Sequence, residues 1–147
     1  MKSLFILLAV VLVLYTGGCL CGQSDSYSIS SVSEGIMEFK SEAHDGYSRV
    51  VMDSNGKNNP RGVVHGGAIF ALADQAFGIA ANCGAAIRIA VSIHIQYIAP
   101  ATGSLVAVAH RVADNGRYST FRVMVYEEER IIAEFDGVAI QVNTPLQ

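Results

Sequence analysis

One segment of the chain concentrates residues able to act on a substrate: Asn59-Pro60-Arg61-Gly62-Val63-Val64-His65-Gly66-Gly67, followed by Asp74. Adjacent glycines where a helix begins let the backbone approach a ligand closely. The unpaired amides of a first helical turn form a site for an anion, or for a carbonyl oxygen gaining negative charge. Asp74 comes nine residues after His65 and falls two turns into the helix that those glycines open. Its neighbours are apolar, so two readings stand: a carboxylate at an exposed face or helix contact, or a general base in a cleft. Taken singly, His65 reads as a loop histidine, Asn59 as a loop residue and Gly66-Gly67 as a tight turn. Only their convergence with an acid makes a catalytic constellation.

The elements that must position these residues follow from hydrophobic period. Ala68 to Cys83 has no proline and carries Ile69, Phe70, Leu72, Phe77 and Ile79 around most of its circumference, which predicts a buried helix ending at Gly84. Before it, Ile36 to Lys40 and Tyr47 to Met52 read as strands, with a turn at His44-Asp45-Gly46. After it, Ile87, Ile89, Val91, Ile93, Ile95 and Tyr97 alternate with polar or small residues in a long half-buried strand that stops at Pro100. Leu105 to Val112, Tyr118 to Tyr126 and Ile131 to Val142 are three further strands, and with no helix between them the last four are expected as an antiparallel meander. The fold class is α+β, with a curved antiparallel sheet wrapped around one long buried helix. Such a sheet has open edges, so joining of two sheets in a homodimer is expected.

At 147 residues, the chain has room for one catalytic domain. Its net charge of −3 and scattered Lys and Arg exclude a broad basic face, so no nucleic-acid partner is expected. Three cysteines make no disulfide framework: Cys19 and Cys21 lie at the front, which leaves Cys83 in the body as core packing rather than a nucleophile. No HxxxH or CxxC spacing occurs, so neither a metal nor a cofactor is expected. The absence of Gly-x-Ser-x-Gly disfavours a serine esterase.

The hydrophobic fraction of 51% is inflated at the front, where Leu4 to Tyr15 is uninterrupted apolar sequence after Met1-Lys2. Residues 1–22 read as a signal-like or membrane-anchor segment, with a weak lipoprotein-type hint at Cys19 and membrane contact through residues 4–22. Residues 23–33 read as a Ser-rich linker and residues 34–147 as the folded domain. The location follows the front segment: anchored or exported if it is real, cytoplasmic if the start lies too far upstream.

Asn59, Gly62, His65-Gly66-Gly67, Asp74 and the strand ending Tyr97-Ile98-Ala99-Pro100 together resemble the hotdog-fold acyl-CoA thioesterases of the phenylacetic acid degradation (PaaI) type. The resemblance runs from roughly Gly35 to Val142 and includes the Gly46-Tyr47 and Asn115-Gly116 turns. It implies that the backbone N–H of Gly66 or Gly67 polarises the thioester carbonyl, and that Asp74 serves as general base or nucleophile. It also implies that Asn59 and His65 position the substrate and leaving thiol, facing the acid of the partner subunit in a homodimer or dimer of dimers. A Ser or Thr on the following strand would orient the water. The best-aligned position here is Ala90, so Ser92, taken to share its strand face, is carried over instead. The phosphates of CoA need cations, for which Lys57, Arg61, Arg88 and Arg117 are the candidates. Two other functions remain open: an acyl-thioester hydratase or dehydratase, and a membrane-tethered acyl-binding module without catalysis.

Overall fold

The computed structural model describes residues 39–142. The signal-like segment, the linker and the start of the first expected strand therefore lie outside the described residues. The elements run β1 (Phe39–His44), β2 (Tyr47–Met52), α1 (Gly66–Asn82), β3 (Arg88–Tyr97), β4 (Leu105–Asp114), β5 (Tyr118–Glu127) and β6 (Arg130–Gln141). The first strand continues to His44, and only Asp45-Gly46 turns, with Gly46 at φ 77° where a side chain would be strained.

All six strands form one antiparallel sheet in the order β1-β2-β4-β5-β6-β3. The expected four-strand meander is thus shortened to β4-β5-β6. Both edges of β4 are taken, by β2 and β5, so β3 pairs instead with β6 and closes the far side of the sheet. The connection from Ile98 to Ser104 makes this crossing, bonded to β6 through Ile98 N–H on Ile132 and to the loop before the helix through Val64 N–H on Ala101.

The helix starts at the Gly66-Gly67 pair, as expected, behind an N-cap at His65. Its buried face (Ile69, Leu72, Ala73, Ala76, Phe77 and Ala80) meets the inward residues of β2, β4, β5 and β6, among them Val50, Ala107, Phe121 and Phe135. Six of the ten buried helix residues are Ala or Gly, which lets the sheet curl closely round the helix. The Ser48 hydroxyl, buried on β2, donates to the carbonyl of Ala76, and the Gly46 N–H donates to that of Ala80. Cys83 is buried at the helix C-cap, as core packing requires, and its disulfide leaves no thiol for attack.

Candidate active site

The loop that leads into α1 is built by its own side chains. The Asn59 Oδ1 accepts from the N–H of Arg61 at 2.9 Å and of Val63 at 3.4 Å, while Gly62, at φ 78°, completes the turn. Asn59 therefore spends its carbonyl oxygen on the loop and keeps only its amide NH2 for a ligand. His65 then caps the helix: its Nδ1 accepts from the Gly67 N–H at 2.9 Å. Ser, Thr, Asp and Asn are the usual caps, and a neighbouring Gly-Gly is the one signal that a histidine ring fits here. A Cβ at residue 67 would stand 3.0 Å from that Nδ1. The Gly67 amide is consequently occupied, and among the described residues the Gly66 N–H has no acceptor.

Asp74 sits two turns further along, seven residues after Gly67 and so on nearly the same side of the helix. It is half-buried, and burial pushes its carboxyl up to about 6. No cation opposes the shift. A carboxyl in that range changes charge close to neutral pH, as a general base requires.

Tyr97 forms the wall opposite the helix start. Its hydroxyl donates to the Gly66 carbonyl at 3.0 Å, and its ring lies against Gly66. The register pairs Tyr97 with Ala133, Ile95 with Phe135 and Ile93 with Gly137, whose side of β6 is the buried one, so all three β3 residues face the helix. Tyr97 and Ile93 nevertheless stay 53% and 37% exposed, because among the described residues no strand lies beyond β3. From the sequence Tyr97 reads only as part of a strand end, and its contact with Gly66, 31 residues away in the chain, escapes that reading.

Two expected site residues lie elsewhere. Ser92 pairs with Val138 on the outer face, whereas Ala90 pairs with Ala139 on the helix face. The register shifts between them, and this bulge adds a residue that reverses the alternation. Ser92 therefore does not share a face with Ala90 and is directed away from the helix that carries Asp74. Arg88 is only 7% exposed. Its guanidinium donates to the Ser119 hydroxyl, the Ala81 carbonyl and Asp114 at 3.0 Å. It is a buried structural cation and leaves the set of phosphate ligands. Lys57 and Arg61 lie on the loop beside the helix start, whereas Arg117 is at the other end of the sheet, over the Tyr118 ring. Among the described residues no group of three or more His, Cys, Asp or Glu could hold a metal.

One long helix seated in a curled six-stranded antiparallel sheet is the hotdog fold. Residues 61–133 match the family model described as Thioesterase superfamily. A "Putative esterase" of Archaeoglobus fulgidus is 33% identical over 106 residues, covering 69% of this chain and 69% of that protein. A mutant of phenylacetic acid degradation protein PaaI from Thermus thermophilus superposes with a TM-score of 0.67 at 29% identity, over 71% of this chain and 93% of that one. The hypothetical thioesterase from Streptococcus pneumoniae, solved with coenzyme A, shares the fold at a TM-score of 0.66 and 20% identity, over 71% of this chain and 85% of that one. The chain belongs to the thioesterase superfamily.

Proposed function

We propose that the protein hydrolyses an acyl-CoA or aryl-CoA thioester to the free acid and CoA, with Asp74 as general base on water or as nucleophile. The observation that carries this reading is the carboxyl of Asp74, isolated from any cation, raised to about 6 and set on one helix with the donor-rich start at His65-Gly66-Gly67. Attack on a thioester moves charge onto the carbonyl oxygen, and fixed donors in a poorly solvated cleft stabilise it by a few kcal/mol, as a general order of magnitude. The thiolate leaves without a strong acid, so one base and one oxyanion site suffice. The cleft wall offered by Ile93, Ile95 and Tyr97 suits an apolar acyl or aryl group.

The site is completed by a second copy of the chain. Among the described residues β3 is an open edge whose exposed apolar side chains include Val91 (52%) and Tyr97 (53%), a pattern that invites pairing with the same strand of a partner. Two-fold antiparallel pairing sets the start of one β3 beside the end of the other. The end holding Lys57, Arg61 and the helix start then approaches Arg117 of the partner subunit, which gathers cations for the CoA phosphates.

The test is a panel of acyl-CoA chain lengths and aryl-CoA esters offered to the full chain, with free thiol release as the readout. Release of CoA from saturated thioesters supports the reading. Hydration of enoyl-CoA with saturated thioesters left intact overturns it in favour of a hydratase, and binding without turnover overturns it in favour of an acyl-binding module.

A further inference from the structure

We propose that Tyr97 is a positioning residue that acts through the Gly66–Gly67 peptide on His65, so that the donor presented to the thioester beside the Gly66 N–H is the His65 Nε2–H rather than the Gly67 amide. The proposal rests on the thioesterase reading and adds to it the identity of the polarising group.

Two bonds meet on a single peptide group. The Tyr97 hydroxyl donates to the Gly66 carbonyl at 3.0 Å, and the Gly67 N–H of that same peptide donates to His65 Nδ1 at 2.9 Å. Both run in one direction, from the phenol through the peptide to the imidazole. Donation to the carbonyl strengthens the N–H as a donor, and donation to Nδ1 draws electron density from the ring. An imidazole that accepts at Nδ1 carries its proton at Nε2 when neutral, so the tautomer is fixed and the free end of the chain is an Nε2–H. His65 is exposed, and its free nitrogen is open to a ligand.

The local sequence fits this use. Gly67 leaves room for the His65 ring, which would stand 3.0 Å from a Cβ, and Tyr97 packs its ring on Gly66. Desolvation beside the helix raises the Tyr97 phenol above its ordinary value, which keeps it a donor. The Gly67 amide, already engaged, cannot serve a second acceptor at full strength. That leaves the His65 Nε2–H, with the Gly66 N–H beside it, to meet the carbonyl oxygen or the departing sulfur.

The experiment is a double-mutant cycle of Tyr97→Phe and His65→Ala in the full chain, read by thioester turnover and by 15N NMR of the His65 ring and the Gly67 amide. Tyr97→Phe alone should lower kcat by about fivefold with KM within about twofold, the size expected of one neutral hydrogen bond. In the His65→Ala background the same change should leave kcat unaltered. The wild-type ring should show the Nε2–H tautomer, and the Gly67 amide proton should move upfield in Tyr97→Phe. Equal losses in both backgrounds, an Nδ1–H ring or an unmoved Gly67 amide would overturn the proposal. Should the wild-type protein hydrolyse no thioester, the function reading fails, and the NMR signals still decide the hydrogen-bond chain.

Discussion

The ring of Phe77 lies so close over Gly137 that a Cβ built there would stand 2.8 Å from Phe77 Cε2. This contact seats the helix on β6, and Phe77 completes it with Phe121 at 5.4 Å and Phe135 at 5.7 Å between ring centroids. Gly137→Ala should destabilise the fold by about 1–3 kcal/mol, because a ring packed on three sides has little room to move. Urea unfolding measures it, and an unchanged midpoint would show that the helix shifts freely. Asp74 precedes Phe77 by one turn, so turnover should fall as well.

Asp74 should cost stability where it is charged. Its carboxyl, with an ordinary value of 3.8, is raised to about 6 by burial, so the folded state holds the proton more tightly than the unfolded one. The penalty is absent below about 3.8 and complete above about 6. Asp74→Asn should therefore gain on the order of 2 kcal/mol at neutral pH and nothing in acid, while losing activity. Equal thermal midpoints for variant and wild type at neutral pH would contradict the burial argument.

Glu127 should behave with the opposite sign. The amides of Thr102 and Gly103, together with Arg130, hold its carboxyl down at about 2, so its stabilising effect is present above 4.5 and disappears as pH falls towards 2. Glu127→Gln should be less stable than wild type at neutral pH and indistinguishable from it near the acid limit. A stability difference that did not change with pH would assign the effect to packing.

Arg88 and Arg61 should separate cleanly. Removing the buried guanidinium of Arg88 takes the donor from the buried Ser119 hydroxyl and the Ala81 carbonyl and leaves Asp114 with Arg111 as its cation, so Arg88→Ala should cost about 3 kcal/mol of stability. Arg61 is exposed on the loop, and Arg61→Glu should leave stability unchanged while weakening acyl-CoA affinity. Calorimetric unfolding and titration with acyl-CoA check both, and unaltered affinity in Arg61→Glu would remove that residue from the phosphate site.

The local pattern made much of this legible. The change from a period of two to a nearly all-apolar helix and back marks α1 and the five strands from β2 onward within a few residues, because each depends on its own side chains. Pairing does not. Nothing within Arg88–Tyr97 says that its neighbour is β6 rather than β4, since that choice follows from β2 having taken the β4 edge. The misplacement of Ser92 has the same origin: one inserted residue at the bulge reverses every face beyond it. Arg88 reads as a surface cation because its partners, Asp114 and Ser119, lie 26 and 31 residues away in the chain. Asp74 was visible as a candidate, whereas its raised carboxyl depends on burial that only the folded sheet supplies.

The rate of CoA release from an acyl-CoA thioester, followed as a function of pH for the full chain and for Asp74→Asn, tests the general-base assignment most directly. For the wild type, kcat/KM should rise through pH of about 6 as Asp74 loses its proton and then level off. Asp74→Asn should remain folded, lose that inflection and turn over roughly 100-fold more slowly or worse. A variant that released CoA at the wild-type rate, with the same dependence on pH, would show that Asp74 is not the base.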